Sequence, residues 1–191
     1  HHPGLRTVTL PGPLPAPGYA MSFDGVEELV QLNGALNTSL NYKTSFTVEA
    51  WVKPTEAKTF ATIAGNYTTN YFGNSGNFMQ YLLRLDYGKP FFAINNAAYS
   101  VVTDNALPYN QWSHVAGVWD GTNLKIYVNG KLEKSAAAPA GTLISFDPAY
   151  PQRIGSSHVP EEYFTGQIDE VRIWTTERTQ TEIQNSMYNE L

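Results

Sequence analysis

The chain has 191 residues, 12 Lys+Arg against 17 Asp+Glu for a formal charge of −5, and no cysteine. This length suits one large domain with a sizeable core, and the missing thiols exclude disulfide frameworks, thiolate zinc sites and a cysteine nucleophile. An acidic balance without any basic cluster argues against nucleic acid as a partner.

Residues 1–18 are set apart from the rest. His1 and His2 read as the end of an affinity tag. The following "PGLRTVTLPGPLPAPG" is too rich in proline to join a central strand, so it reads as an extended linker or as an arm on the domain. From residue 19 onward β signals dominate. "AMSFDG" (20–25) ends in an Asp-Gly turn, and "EELVQL" (27–32) follows. "SFTVEAWVK" (45–53) alternates with period two, placing Phe46, Val48, Ala50 and Val52 on one face and Thr47, Glu49, Trp51 and Lys53 on the other. "TFATIAG" (59–65) and "MQYLLRLDYG" (79–88) are further strands, and "PFFAIN" (90–95) returns from the latter across Gly88. "WSHVAGVWDGTNLKIYVNGKLEKS" (112–135) is a three-stranded meander, because Asp120-Gly121 and Asn129-Gly130 supply the positive φ of tight hairpins. "QRIG" (152–155) and "GQIDEVRIW" (166–174) are the last strands. In the second, the adjacent acids Asp169 and Glu170 interrupt the alternation and predict a bulge. One helix follows. Thr179 and Glu182 form a capping-box pattern, and Ile183, Met187 and Leu191 make an apolar stripe for docking on a sheet.

This succession of short strands and turns indicates an all-β sandwich or jelly roll with a short C-terminal helix. His114 reads as a hydrogen-bonded framework residue. Trp51, Trp112, Trp119 and Trp174 read as core and sheet-face packing. Glu49 and Arg172 are expected to meet in a structural ion pair or hydrogen-bond network.

Function is expected in loops, and two stand out. "GNYTTNYFGNSGNF" (65–78) carries four Asn and two Tyr. Asn amides both donate to and accept from sugar hydroxyls, and a Tyr ring offers an apolar face with a hydroxyl tip. "SSHVPEEYF" (156–164) adds His158, Glu161, Glu162 and Tyr163. The candidate ligand contacts are Asn66, Tyr67, Tyr71, Asn74, Asn77, His158, Glu161 and Tyr163. No catalytic motif is read. Acids in "VEELV" and "PEEY" are adjacent, and neighbouring strand residues face opposite ways. No Gly-x-Ser-x-Gly, zinc spacing or P-loop occurs.

"AMSFDG", "FTVEAWVKP", "WSHVAGVWDGTNLKIYVNGKLE" and "FTGQIDEVRIWTTERTQTEI", in that order, resemble the laminin-G-like, concanavalin A-like jelly-roll domains of secreted proteins. The resemblance spans about residues 20–190. It implies a concanavalin A-like β-sandwich over 19–191, with loops 65–78 and 156–164 gathered at one rim, as in pentraxins, although the pentraxin acid pattern is absent. It also implies a structural Ca2+ held by Asp24 and Asp169 with backbone carbonyls. The residues alone read equally as a turn cap at Asp169 and an ion pair at Glu170. The expected function is a non-catalytic, lectin-like module of a secreted or cell-surface protein whose partner is a glycan. The alternatives are a cell-surface protein partner in adhesion, a structural spacer, or an accessory domain of a glycoside hydrolase. No membrane insertion is expected, since no apolar run approaches the ~18 residues of a membrane helix. The oligomeric state is not legible.

Overall fold

The computed structural model describes residues 20–32, 44–69, 77–95, 99–138 and 147–189. Among the described residues, twelve strands form two antiparallel sheets. In chain order these are β1 (Met21–Asp24), β2 (Val30–Gln31), β3 (Phe46–Pro54), β4 (Phe60–Gly65), β5 (Tyr81–Asp86), β6 (Lys89–Ile94), β7 (Tyr99–Val102), β8 (Ser113–Trp119), β9 (Asn123–Val128), β10 (Lys131–Ala137), β11 (Arg153–Ile154) and β12 (Thr165–Trp174). A single described helix, α1 (Gln180–Ser186), follows. Sheet I has the order β1-β12-β3-β8-β9-β10, and sheet II the order β2-β11-β4-β5-β6-β7. The expected sandwich and the 112–135 meander are as read. The short strand β7 is an addition that no turn signal announced, and "EELVQL" pairs only at Val30–Gln31.

The core lies between the sheets. Phe46, Val48, Ala50 and Val52 of β3 face Tyr81, Leu83, Leu85, Phe92 and Ile94 of sheet II, and all are buried. Each of the Val, Leu, Ile and Phe side chains among them contributes about 1.5–3 kcal/mol of burial. Phe92 of sheet II lies directly against Gly117 of sheet I. A Cβ built on that glycine would sit 2.6 Å from the Phe92 ring.

The second face of β3 is buried too, because α1 covers sheet I. Ile183 packs on Ala116, Val118 and Tyr127. The capping box starts the helix as predicted: the Glu182 amide donates to Thr179 Oγ1 (3.3 Å), and the Thr179 amide donates to Glu182 Oε2 (2.8 Å). Met187 is buried, while Leu191 lies outside the described residues.

The bulge in β12 is present. Register slips between Asp169 and Arg172, and Glu170 takes a φ of 51°. The slip turns Arg172 under the end of α1. Its Nη1 donates to the Ser186 carbonyl (2.7 Å) and Nη2 to that of Asn189 (2.5 Å). Nη1 also lies 3.5 Å from Glu49 Oε1, to which Trp174 Nε1 donates at 3.2 Å. Trp51 Nε1 donates to the Met187 carbonyl at 2.9 Å. The expected Glu49–Arg172 network therefore exists, and it fastens the C-terminal segment to sheet I. His114 Nε2 is 3.9 Å from Glu49 Oε2. Burial, aided by the Arg172 charge, lowers its pKa to about 3, so the imidazole is neutral and the contact is not an ion pair.

Candidate functional site

Sheet I is covered by α1, while no described helix or strand lies over the outer face of sheet II. That face carries the alternate residues that do not enter the core: Phe60 and Thr62 on β4, Leu82, Arg84 and Asp86 on β5, Phe91 and Ala93 on β6. Register aligns Thr62, Arg84, Phe91 and Val102 in one row and Phe60, Asp86 and Lys89 in the next.

The two loops singled out from sequence meet at its margin. The His158 amide donates to the Tyr67 carbonyl (2.8 Å), Gly155 N to Ile63 O (3.0 Å), and Thr62 N to Glu162 O (3.0 Å). Thr68 and Phe78 exchange backbone hydrogen bonds of 2.9 and 3.0 Å, closing the base of the first loop. Tyr67 lies on the cluster Met79, Leu82 and Ala93 beside Phe91.

Arg84 organises the centre of the face. Its guanidinium carbon sits 4.0 Å from the Phe60 ring centroid and 4.7 Å from that of Phe91. Nε donates to Asp86 Oδ1 (2.5 Å), Nη2 to Asp86 Oδ2 (3.3 Å) and Nη1 to Glu162 Oε1 (3.0 Å). Glu162 Oε2 accepts from Ser157 Oγ (3.0 Å) and Thr62 Oγ1 (3.4 Å). Burial raises the pKa of both carboxyls, and Arg84 offsets part of the shift. The Tyr67 hydroxyl is pushed up by burial and then by the Glu162 charge. The result is a rigid arrangement of rings and engaged charges, with Tyr87 exposed at the β5–β6 turn 6.4 Å from Phe60.

Of the sequence candidates, Tyr67, His158 and Tyr163 are half-buried at this margin, and Asn77 and Glu161 are exposed. His158 is held by Nε2 against the Pro151 carbonyl (2.7 Å) and by an edge contact with Tyr150. Asn66 is fully buried. Its Oδ1 accepts from the Gln80 amide (2.9 Å), so it shapes the loop base and presents nothing to solvent. Tyr71 and Asn74 lie outside the described residues. Arg84, Asp86, Phe60 and Phe91 were not among the candidates. The signal for them was the charged alternation Arg84, Asp86 on an otherwise apolar strand.

The structure does not bring Asp24 and Asp169 together. Asp24 pairs with Thr165, four residues before Asp169, which is about 13 Å along the strand. One calcium ion with ligands at about 2.3–2.6 Å does not reach both. Asp24 Oδ1 instead accepts from the Val26 amide (2.9 Å). The neighbouring carbonyls of Gly25 and Tyr163 already receive the Lys58 ammonium at 2.7 and 3.1 Å. The described residues around Asp24 thus form no calcium shell with Asp169.

The family model of the concanavalin A-like lectin/glucanases superfamily matches residues 24–184. The chain belongs to this superfamily. Among solved structures, this superfamily member is similar to a putative carbohydrate binding protein from Bacteroides ovatus (23% identity, 88% of this chain and 46% of that one, TM-score 0.68). It is also similar to the SAP-like pentraxin of Limulus polyphemus (19%, 87% and 80%, TM-score 0.63). A third is domain 4 of AbnA, a GH43 extracellular arabinanase from Geobacillus stearothermophilus, solved with arabinotriose (19%, 91% and 88%, TM-score 0.61). At these identities the likeness establishes the jelly-roll fold. In sequence it is 28% identical to pappalysin-1 of Mus musculus over 90% of this chain, which spans 11% of that protein. No described helix is long and apolar enough to cross a membrane.

Proposed function

We propose that this domain is a non-catalytic carbohydrate-binding module of a secreted or cell-surface protein, and that it binds on the outer face of sheet II, alongside loop 156–163. The observation that carries the reading is the ring-clamped Arg84 with Asp86 at its side, on a sheet face over which no described helix or strand lies. Aromatic rings take the C–H faces of sugars, while a fixed carboxylate accepts from hydroxyls. The carbohydrate-binding protein and the arabinanase domain on the same fold support it. The same geometry favours binding over hydrolysis. A glycosidase needs one carboxyl to give a proton and a second to attack or activate water. Here Asp86 and Glu162 share one guanidinium, and both Glu162 oxygens are engaged.

A single site of this kind is weak, because hydroxyls exchange water for protein partners, so several copies together would bind by avidity. The test is a glycan array probed with multivalent domain, in calcium and in EDTA. Binding to a related set of glycans, weakened at least tenfold by Tyr87→Ala or Asp86→Asn, is the expected result. No binding on either array would favour a protein partner. Loss in EDTA alone would place a calcium ion at or beneath the site.

A further inference from the structure

Two arginines stand on the outer face of sheet II, and they differ in their partners. Arg84 is shared between Asp86 and Glu162 and has no charge to spare. Arg153 on β11 lies between Gln31 and Gly65 in the sheet. Its hydrogen bonds go to neutral acceptors only: Nη1 to the Ser157 carbonyl (3.0 Å) and Nε to Gln31 Oε1 (3.4 Å). Among the described residues no carboxylate stands within ion-pair distance of it, and Nη2 donates to nothing there. The side chain is half-buried beside the loop that carries His158 and Tyr163. Burial lowers the His158 pKa, the hydrogen bond to the Pro151 carbonyl offsets part of this, and the Arg153 charge adds to the lowering. A partly desolvated cation without a counter-charge, in a domain of net charge −5, is an uncommon arrangement.

We propose that Arg153 is an anion subsite, and that the glycan taken by this face carries a carboxylate, as uronic and sialic acids do. This rests on the carbohydrate-binding reading. A guanidinium whose Nη2 has no acceptor among the described residues can pair with a carboxylate through charge-assisted hydrogen bonds. Arg153 is two strands across and two residues along from Arg84, about 12 Å. A ligand reaching both the acid subsite and the aromatic rings is therefore an oligosaccharide.

The test uses matched pairs on the array, sialyllactose against lactose and oligogalacturonate against its methyl ester, with the multivalent domain. The acidic member of at least one pair should bind about tenfold more tightly, and the gap should shrink in high salt. Arg153→Gln should close the gap, and Arg153→Lys should keep part of it. The wild-type pairs decide the matter even if a variant fails to fold. Equal binding of acidic and neutral members overturns the subsite and leaves carbohydrate binding standing, as does a gap that Arg153→Gln leaves intact in a folded variant. Binding to no glycan overturns both.

Discussion

His114 and Arg172 show what the covered face of sheet I demands of single residues. His114 is buried, with a folded pKa of about 3 against 6.5 in the open chain. Between those values the unfolded chain binds a proton that the fold refuses. Its contribution to stability is complete above pH 6.5 and is lost as pH falls toward 3, by at most about 1.4 kcal/mol per pH unit. Glu49 and Asp169 act oppositely, because burial raises their carboxyls. Their contribution is present at low pH and lost as pH rises through the raised values. Comparing urea unfolding of wild type and His114→Gln from pH 7 to 5 isolates the histidine. The variant should show the flatter slope, and coincident slopes would refute the assignment. Arg172→Met removes the donor to two helix-end carbonyls and leaves Glu49 without its cation. The expected loss is about 3–5 kcal/mol in the same assay. Asn66 marks where residue type misled. Its neighbours are turn formers and exposed amides, but β4 and β5 stay paired through it, with Asn66 N donating to the Tyr81 carbonyl at 3.3 Å. Composition identified the loop without saying which amide turns inward.

At the scale of elements, most of the fold was legible because each strand boundary carried its own chemistry. Period two gave β3, Asp-Gly and Asn-Gly gave the meander, and Thr179 with Glu182 gave the start of α1. The slip at Asp169–Glu170 gave the bulge, although its purpose, aiming Arg172 at the helix end, depends on contacts from a distant part of the chain. β7 was not legible, since four residues without a turn dipeptide leave little local signal. The proposed binding face was only half legible. The loops were found from their side chains, whereas Phe60, Arg84 and Phe91 become neighbours only once three strands are in register. Two substitutions test these elements. Thr179→Ala should cost about 1 kcal/mol through loss of the cap. Gly155→Ala should cost more. Gly155 has a φ of 81°, and a Cβ there would meet the Phe23 ring at 2.1 Å. Because Gly155 joins β11 to loop 156–163, Gly155→Ala should also weaken glycan binding in proportion to the strain, whereas Thr179→Ala, at the cap of the helix over the other sheet, should leave it unchanged.

For the whole molecule, the two faces of the sandwich divide the work. Sheet I spends its outer face on α1 and a network of buried charges, which fixes the C-terminal segment. Sheet II keeps its outer face for a ring-clamped arginine and two joined loops. The measurement that tests this division most directly is a 1H–15N NMR titration of the domain with the strongest glycan from the array. Shift changes should concentrate on Phe60, Tyr67, Arg84, Asp86, Phe91, Arg153 and loop 156–163, with α1 and β8–β10 unmoved. Changes centred on sheet I, or none at saturating glycan, would contradict the account.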